Sequence, residues 1–219
     1  MTRSRSSRDA CRCASWLIYA TRATGDAARR ARDLIIDIKT DRVDAKRERP
    51  VVELVVNAAV LRLDQAAGAV FDGDPCLVPV PRSGLTKAHT VWPARRIAEE
   101  LVRQGLGNDV VPVITRAVAV AKSAGNPDRP PFAEHLASLS VQKSFRPPSR
   151  LLLVDDVVTT GTTLMACMQR LADAFPGVPI AAFALARVQS QGEPAQVFEP
   201  IVEEISLSGS HCVRGPVAS

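Results

Sequence analysis

The stretch RLLLVDDVVTTGTTLMACMQRLADAFPG, residues 150–177, decides the fold. Leu151 to Val154 form an aliphatic run that ends on two adjacent aspartates, Asp155 and Asp156. Val157 and Val158 follow, then Thr159, Thr160, Gly161, Thr162 and Thr163. A continuous apolar run of this length predicts a strand buried on both faces, as in a parallel sheet. Side chains alternate between the faces of a strand, so the two carboxylates need not share a role. After the threonines, Leu164, Met168, Leu171 and Phe175 recur at helical spacing on one face.

Strand-like and helix-like segments alternate on both sides of this stretch. DAARRARDLIIDIKTDR reads as a helix capped by Asp26, with a strand-like piece at Leu34 to Ile38. Residues 49–71 read as one helix with Pro50 in its first turn. Cys76 to Val80 is a short buried strand that leads into a loop at Arg82, Ser83 and Gly84. A helix starts near Pro93, DVVPVITRA is a short strand, and residues 177–188 form another. Residues 117–149 hold no sustained period and read as a long loop, which in a compact domain is usually functional. The alternation predicts an α/β fold: a doubly wound, mostly parallel sheet flanked by helices. Three parts are expected: a basic, flexible N-terminal arm at 1–25, the α/β domain at 26–190, and a small hood at 191–219.

Composition agrees with such a core. Hydrophobic residues make up 46% and aromatics only 4%, which suits an aliphatic parallel sheet. Charge is uneven: residues 1–50 hold 13 Lys/Arg and 7 Asp/Glu, a balance of +6, while the other 169 hold 15 and 16, a balance of −1. The basic N-terminal part is therefore the place where a nucleic-acid partner would bind, and a solvated arm is its plainer reading. Five scattered cysteines, of which only Cys11 and Cys13 are close, fit a reducing, cytoplasmic setting. ASWLIYA, residues 14–20, is short for the core of a signal peptide, and no apolar run is long enough to cross a membrane.

The chemistry lies at the end of the 151–158 strand. Carboxylates there accept hydrogen bonds from vicinal sugar hydroxyls and draw a hydrated Mg²⁺ toward a diphosphate. A helix N-terminus with hydroxyls beside it cradles an anion, and Gly161 lets the backbone approach without a Cβ in the way. Together these imply a sugar 5-phosphate as ligand. No G-x-x-x-x-G-K-[ST] occurs, so the acids are not those of a P-loop nucleotide site.

LLLVDDVVTTGTT resembles the signature of the type I phosphoribosyltransferases, which use 5-phosphoribosyl-1-diphosphate (PRPP), and all 13 positions from Leu151 to Thr163 conform. LVPVPRSG is similar to the family's diphosphate loop, a role the resemblance assigns to Arg82, Ser83 and Gly84. Residues 117–149 take the place of its catalytic lid, with Lys122, Ser123, Arg129 and His135 as the lid contacts and Lys122 among the catalytic residues. Asp155 and Asp156 would hold ribose and Mg²⁺, the latter largely through water and PRPP, and Thr159 to Thr163 the 5-phosphate. The layout DIKTDR, LVPVPRSG, ITRAVAVAKSAG and QKSFRPPSR before the aspartate strand most resembles the competence-associated ComF subgroup. Two departures stand out. The four-cysteine zinc module is missing, and RSGLTKAH stands where R-G-F-N is usual. The resemblance implies a transferase of the 5-phosphoribosyl group to a nitrogenous base or amine, with Mg²⁺ as cofactor, a homodimer as assembly, and no membrane association. A non-catalytic PRPP sensor and an accessory protein of DNA uptake are the alternatives it leaves.

Overall fold

The computed structural model describes residues 10–84, 90–120, 130–142 and 148–217. Seven strands form the central sheet: β1 (Ala10–Ala20), β4 (Cys76–Pro79), β5 (Asp109–Val110), β8 (Leu151–Val158), β9 (Ile180–Gln189), β10 (Ile201–Ser208) and β11 (His211–Pro216). Their order is β11-β10-β1-β9-β8-β4-β5. From β1 to β5 every pairing is parallel, whereas β10 and β11 add antiparallel at the other edge. Two small antiparallel pairs lie outside it: β2 (Val43–Asp44) with β3 (Arg49–Pro50), and β6 (Ile114–Arg116) with β7 (Leu139–Val141).

Alternation along β8 builds two cores. Leu152 and Val154 face one layer with Phe183 and Leu185 of β9; there they meet α1 (Asp26–Lys39), α2 (Val51–Val60) and α4 (Pro93–Arg103). Leu151 and Leu153 face the other layer with Ala182 and Ala184, against α5 (Phe132–Ser138) and α6 (Thr162–Ala174). Apolar residues on both faces of one strand are what a doubly wound sheet requires. The expected α/β architecture is therefore present.

Several expectations change. The arm expected over 1–25 includes β1, which runs down the middle of the sheet between β9 and β10 with most of its residues buried. Residues 1–9 lie outside the described residues. Cys11 and Cys13 are buried on β1 and pack with the α6 layer as small apolar groups; burial pushes the Cys11 thiol up to about 12. The strand-like piece at Leu34 to Ile38 is the second half of α1. Ile35 and Ile38 continue the buried stripe begun by Ala28 and Ala31, and Ile36 faces solvent. The helix expected over 49–71 breaks after Val60. Asp64 then caps a short helix, α3 (Gln65–Gly68), accepting from the Ala67 N–H at 2.7 Å, and the chain bends by 116°. No single helix among the described residues is long and apolar enough to cross a membrane.

The hood expected at 191–219 contributes two strands to the sheet: β10 and β11 are its edge hairpin, tied to β9 where Arg214 donates to the Val188 carbonyl at 2.7 Å. Residues 117–149 are less irregular than their sequence suggested, for they contain α5 and β7.

Candidate functional site

The chain leaves β4 through α4 on one face of the sheet and leaves β8 through α6 on the other. β4 and β8 are neighbours, so the crossovers diverge between them and open a crevice beyond their C-terminal ends. A cleft of about 790 Å³ occupies that position. Asp155, Asp156, Thr159 and Thr163 line it from β8 and α6, Pro81 to Ser83 from the loop after β4, and Lys39 from α1. The ends of β1 and β9 contribute Tyr19, Arg22, Ser190 and Gln191 to the far wall.

The two aspartates diverge as strand alternation demands. Asp156 ion-pairs across 3.2 Å with Lys39, the last residue of α1. A cation suits that helix end, where the dipole is negative, and the helix thereby delivers it to the cleft. Asp155 turns toward the α6 layer, close enough to Cys13 and Cys167 to act on both thiols. Burial, then the neighbouring Asp156, holds its carboxyl well above the ordinary carboxylate range, while its Oδ1 accepts from the Asp156 N–H at 2.9 Å.

Thr159 to Thr163 wrap a small concavity at the start of α6. Gly161 is the N-cap with φ of 87°, a left-handed conformation that favours glycine. Its carbonyl accepts from the Met165 N–H at 2.8 Å, which commits the chain to helix. The first N–H groups of the helix have no intrahelical acceptor and face the concavity's end of the axis. Thr160 and Thr162 hydroxyls bond each other at 2.9 Å. The edge hairpin backs the loop: Ile205 of β10 lies behind Gly161, and the Cys212 thiol of β11 lies close to Thr162.

At the loop after β4, Arg82 donates to the Val91 carbonyl at 2.7 Å, so its guanidinium is folded along its own loop. The Ser83 carbonyl accepts from the Val120 N–H at 2.9 Å and the Arg82 carbonyl from Arg116 Nε at 2.8 Å. Trp92 Nε1 closes the loop's far end on the Val80 carbonyl at 2.8 Å. Gly84 is exposed.

The expected lid contacts fare differently. Lys122, Ser123 and Arg129 lie outside the described residues. His135 sits on α5, 1% exposed, with Nδ1 3.3 Å from the Thr163 hydroxyl and its ring bordering the cleft. Burial, with the Arg116 cation second, lowers its pKa to about 4. The unfolded chain therefore binds a proton near pH 6.5 that the folded protein refuses until about pH 4. The neutral imidazole's contribution is complete above pH 6.5 and disappears between those values. Acidification across that window costs up to about 3 kcal/mol at this group. Urea unfolding at pH 7.5 and 4.5 should show a smaller pH effect in His135→Asn than in the natural protein; equal effects would refute it.

Lys39 and Arg116 also belong to the site's surroundings but carry no site motif in the sequence. Lys39 has a readable signal, a cation in the last turn of an amphipathic helix. Arg116 has none, since nothing local shows that its strand runs beneath the cleft. Among the described residues no three His, Cys, Asp or Glu side chains gather as a metal site. Among the described lining residues the cleft offers two carboxylates, Asp155 and Asp156, a pair that suits a hard cation completed by water and ligand oxygens. Compared with known proteins, the chain matches no protein-family model and no curated sequence.

Proposed function

We propose that the cleft binds PRPP with Mg²⁺ and transfers its 5-phosphoribosyl group to a nitrogenous base or amine, releasing diphosphate. The observation that carries this reading is the convergence on one crevice of a carboxylate pair, a threonine-glycine helix start and an arginine-bearing loop. A sugar with phosphate at one end, diphosphate at the other and two hydroxyls between them matches those three elements in order.

In this reading Thr159 to Thr163 and the α6 N–H groups hold the 5-phosphate through hydrogen bonds and the helix dipole. Asp155 and Asp156 accept from the ribose hydroxyls and would hold the Mg²⁺. Bound there, that ion would offset charge on the departing diphosphate. Lys39 keeps Asp156 oriented. Arg82 and Ser83 receive the diphosphate as the bond from nitrogen to C1 forms and the bond from C1 to the diphosphate oxygen breaks. No side chain acts as nucleophile; the protein contributes position and fixed charge.

Calorimetric titration tests the donor half: PRPP with Mg²⁺ should bind more tightly than ribose 5-phosphate, and the difference should shrink when Mg²⁺ is chelated. A panel of purine bases, pyrimidine bases and small amines, read by diphosphate release, tests the transfer. Failure of PRPP to bind would overturn the proposal.

A further inference from the structure

Beneath the two loops of the cleft lies a buried cation whose bonds all go to neutral groups. Arg116, on β6, is 8% exposed, and among the described residues it has no carboxylate partner. Its Nε donates to the Arg82 carbonyl at 2.8 Å and Nη1 donates to the Ser138 hydroxyl, while Nη2 is buried with no partner among the described residues. Ser138 in turn donates to the His135 carbonyl at 2.7 Å, and His135 Nδ1 meets the Thr163 hydroxyl at 3.3 Å. Arg170 of α6 adds a second tie to α5, donating twice to the Leu136 carbonyl at 3.0 and 2.7 Å.

An unbroken path of polar contacts thus runs from the loop after β4 to the first turn of α6. Burying a guanidinium without a counter-charge is costly, a cost a plain packing position would avoid with an aliphatic residue. What the guanidinium supplies is a planar fork that grips two separate elements at fixed angles, which a lysine cannot do. One element it joins is the loop after β4; the other, α5, reaches Thr163 of the second anion-binding loop through His135.

We propose that Arg116, Ser138 and His135 form a positioning brace. It holds Arg82 and Thr163 at a set separation, so that the cleft selects a sugar phosphate with an anionic group at each end over one with a single anionic end. The inference rests on the reading of the cleft as a PRPP site. When one ligand spans two loops, the second contact forms at high effective concentration only if the spacing fits. Each loop keeps its own donors when the brace is cut, but their spacing is no longer held.

Calorimetry on the full chain with PRPP, ribose 5-phosphate and diphosphate, each with Mg²⁺, separates the outcomes. Ser138→Ala and His135→Leu should weaken PRPP roughly tenfold to a hundredfold, with each single-ended ligand changed by less than about threefold. His135→Asn, which keeps a polar atom near the Nδ1 position, should restore most of the PRPP affinity. Melting temperatures identify any variant that fails to fold, and the Leu/Asn pair at His135 then carries the test. Equal weakening of all three ligands, or unchanged PRPP affinity, would overturn the brace while leaving the PRPP reading intact. Natural protein that binds PRPP no more tightly than ribose 5-phosphate would overturn both.

Discussion

Asparagine at Asp156 should lower PRPP-dependent diphosphate release on the order of 10²–10³-fold, and asparagine at Asp155 should do the same. Both changes keep the side chain's shape and remove its charge, so the loss reports electrostatics and not packing. The two variants should differ in stability. Asp156→Asn strands Lys39, which is 45% exposed and rehydrates readily, so the folded state loses little. Asp155→Asn removes a carboxyl whose pKa is raised by burial and by Asp156. A group with a raised folded pKa favours the folded state at low pH and opposes it as pH rises past the folded value. Asp155→Asn should therefore melt at the same temperature as the natural protein or above it at pH 8. Lost turnover with retained or increased stability is the signature of a residue kept for its site and not for the fold. Unchanged turnover in both variants would sink the assignment.

Legibility followed the range of the forces involved. The 150–177 stretch could be read because strand, turn and helix there are dictated by neighbours within a few residues: an apolar run, a left-handed glycine, an amphipathic face. β1 could not. Its pairing partners, β9 and β10, lie at the other end of the chain. The basic residues around it looked like a solvated arm because nothing local revealed that both faces would be covered. Leu34 to Ile38 shows the reverse failure. Four apolar residues in five satisfy either period, and only the match of Ile35 and Ile38 to Ala28 and Ala31 resolves them as helix. His135 stands out in the sequence as a chemical group but its helix does not, since seven residues of helix between prolines and a short strand carry too weak a period to see. Arg116 shows the limit: its role comes from Ser138 and Arg82, contacts made only after β6 and β7 have paired.

Gly161→Ala should be the most damaging small substitution in the site, costing about 3 kcal/mol of stability. Two separate penalties combine. At φ of 87° any Cβ is strained against its own backbone, and the added methyl would lie 2.5 Å from Ile205 Cγ2. Ile205 is fully buried on β10 and β-branched, so it cannot swing away cheaply. The least costly response is to push the Thr159 to Thr163 loop outward, which opens the concavity meant for the 5-phosphate. Ribose 5-phosphate and PRPP should then weaken together while diphosphate alone keeps its affinity, whereas the brace variants spare ribose 5-phosphate. Pairing the change with Ile205→Ala separates the two penalties. The double variant should recover the steric share and much of the 5-phosphate affinity, because the loop can return, yet it retains the φ strain and the cavity cost of the missing isoleucine. If the double variant binds 5-phosphate no better than Gly161→Ala alone, the edge hairpin is not what sets the loop's position.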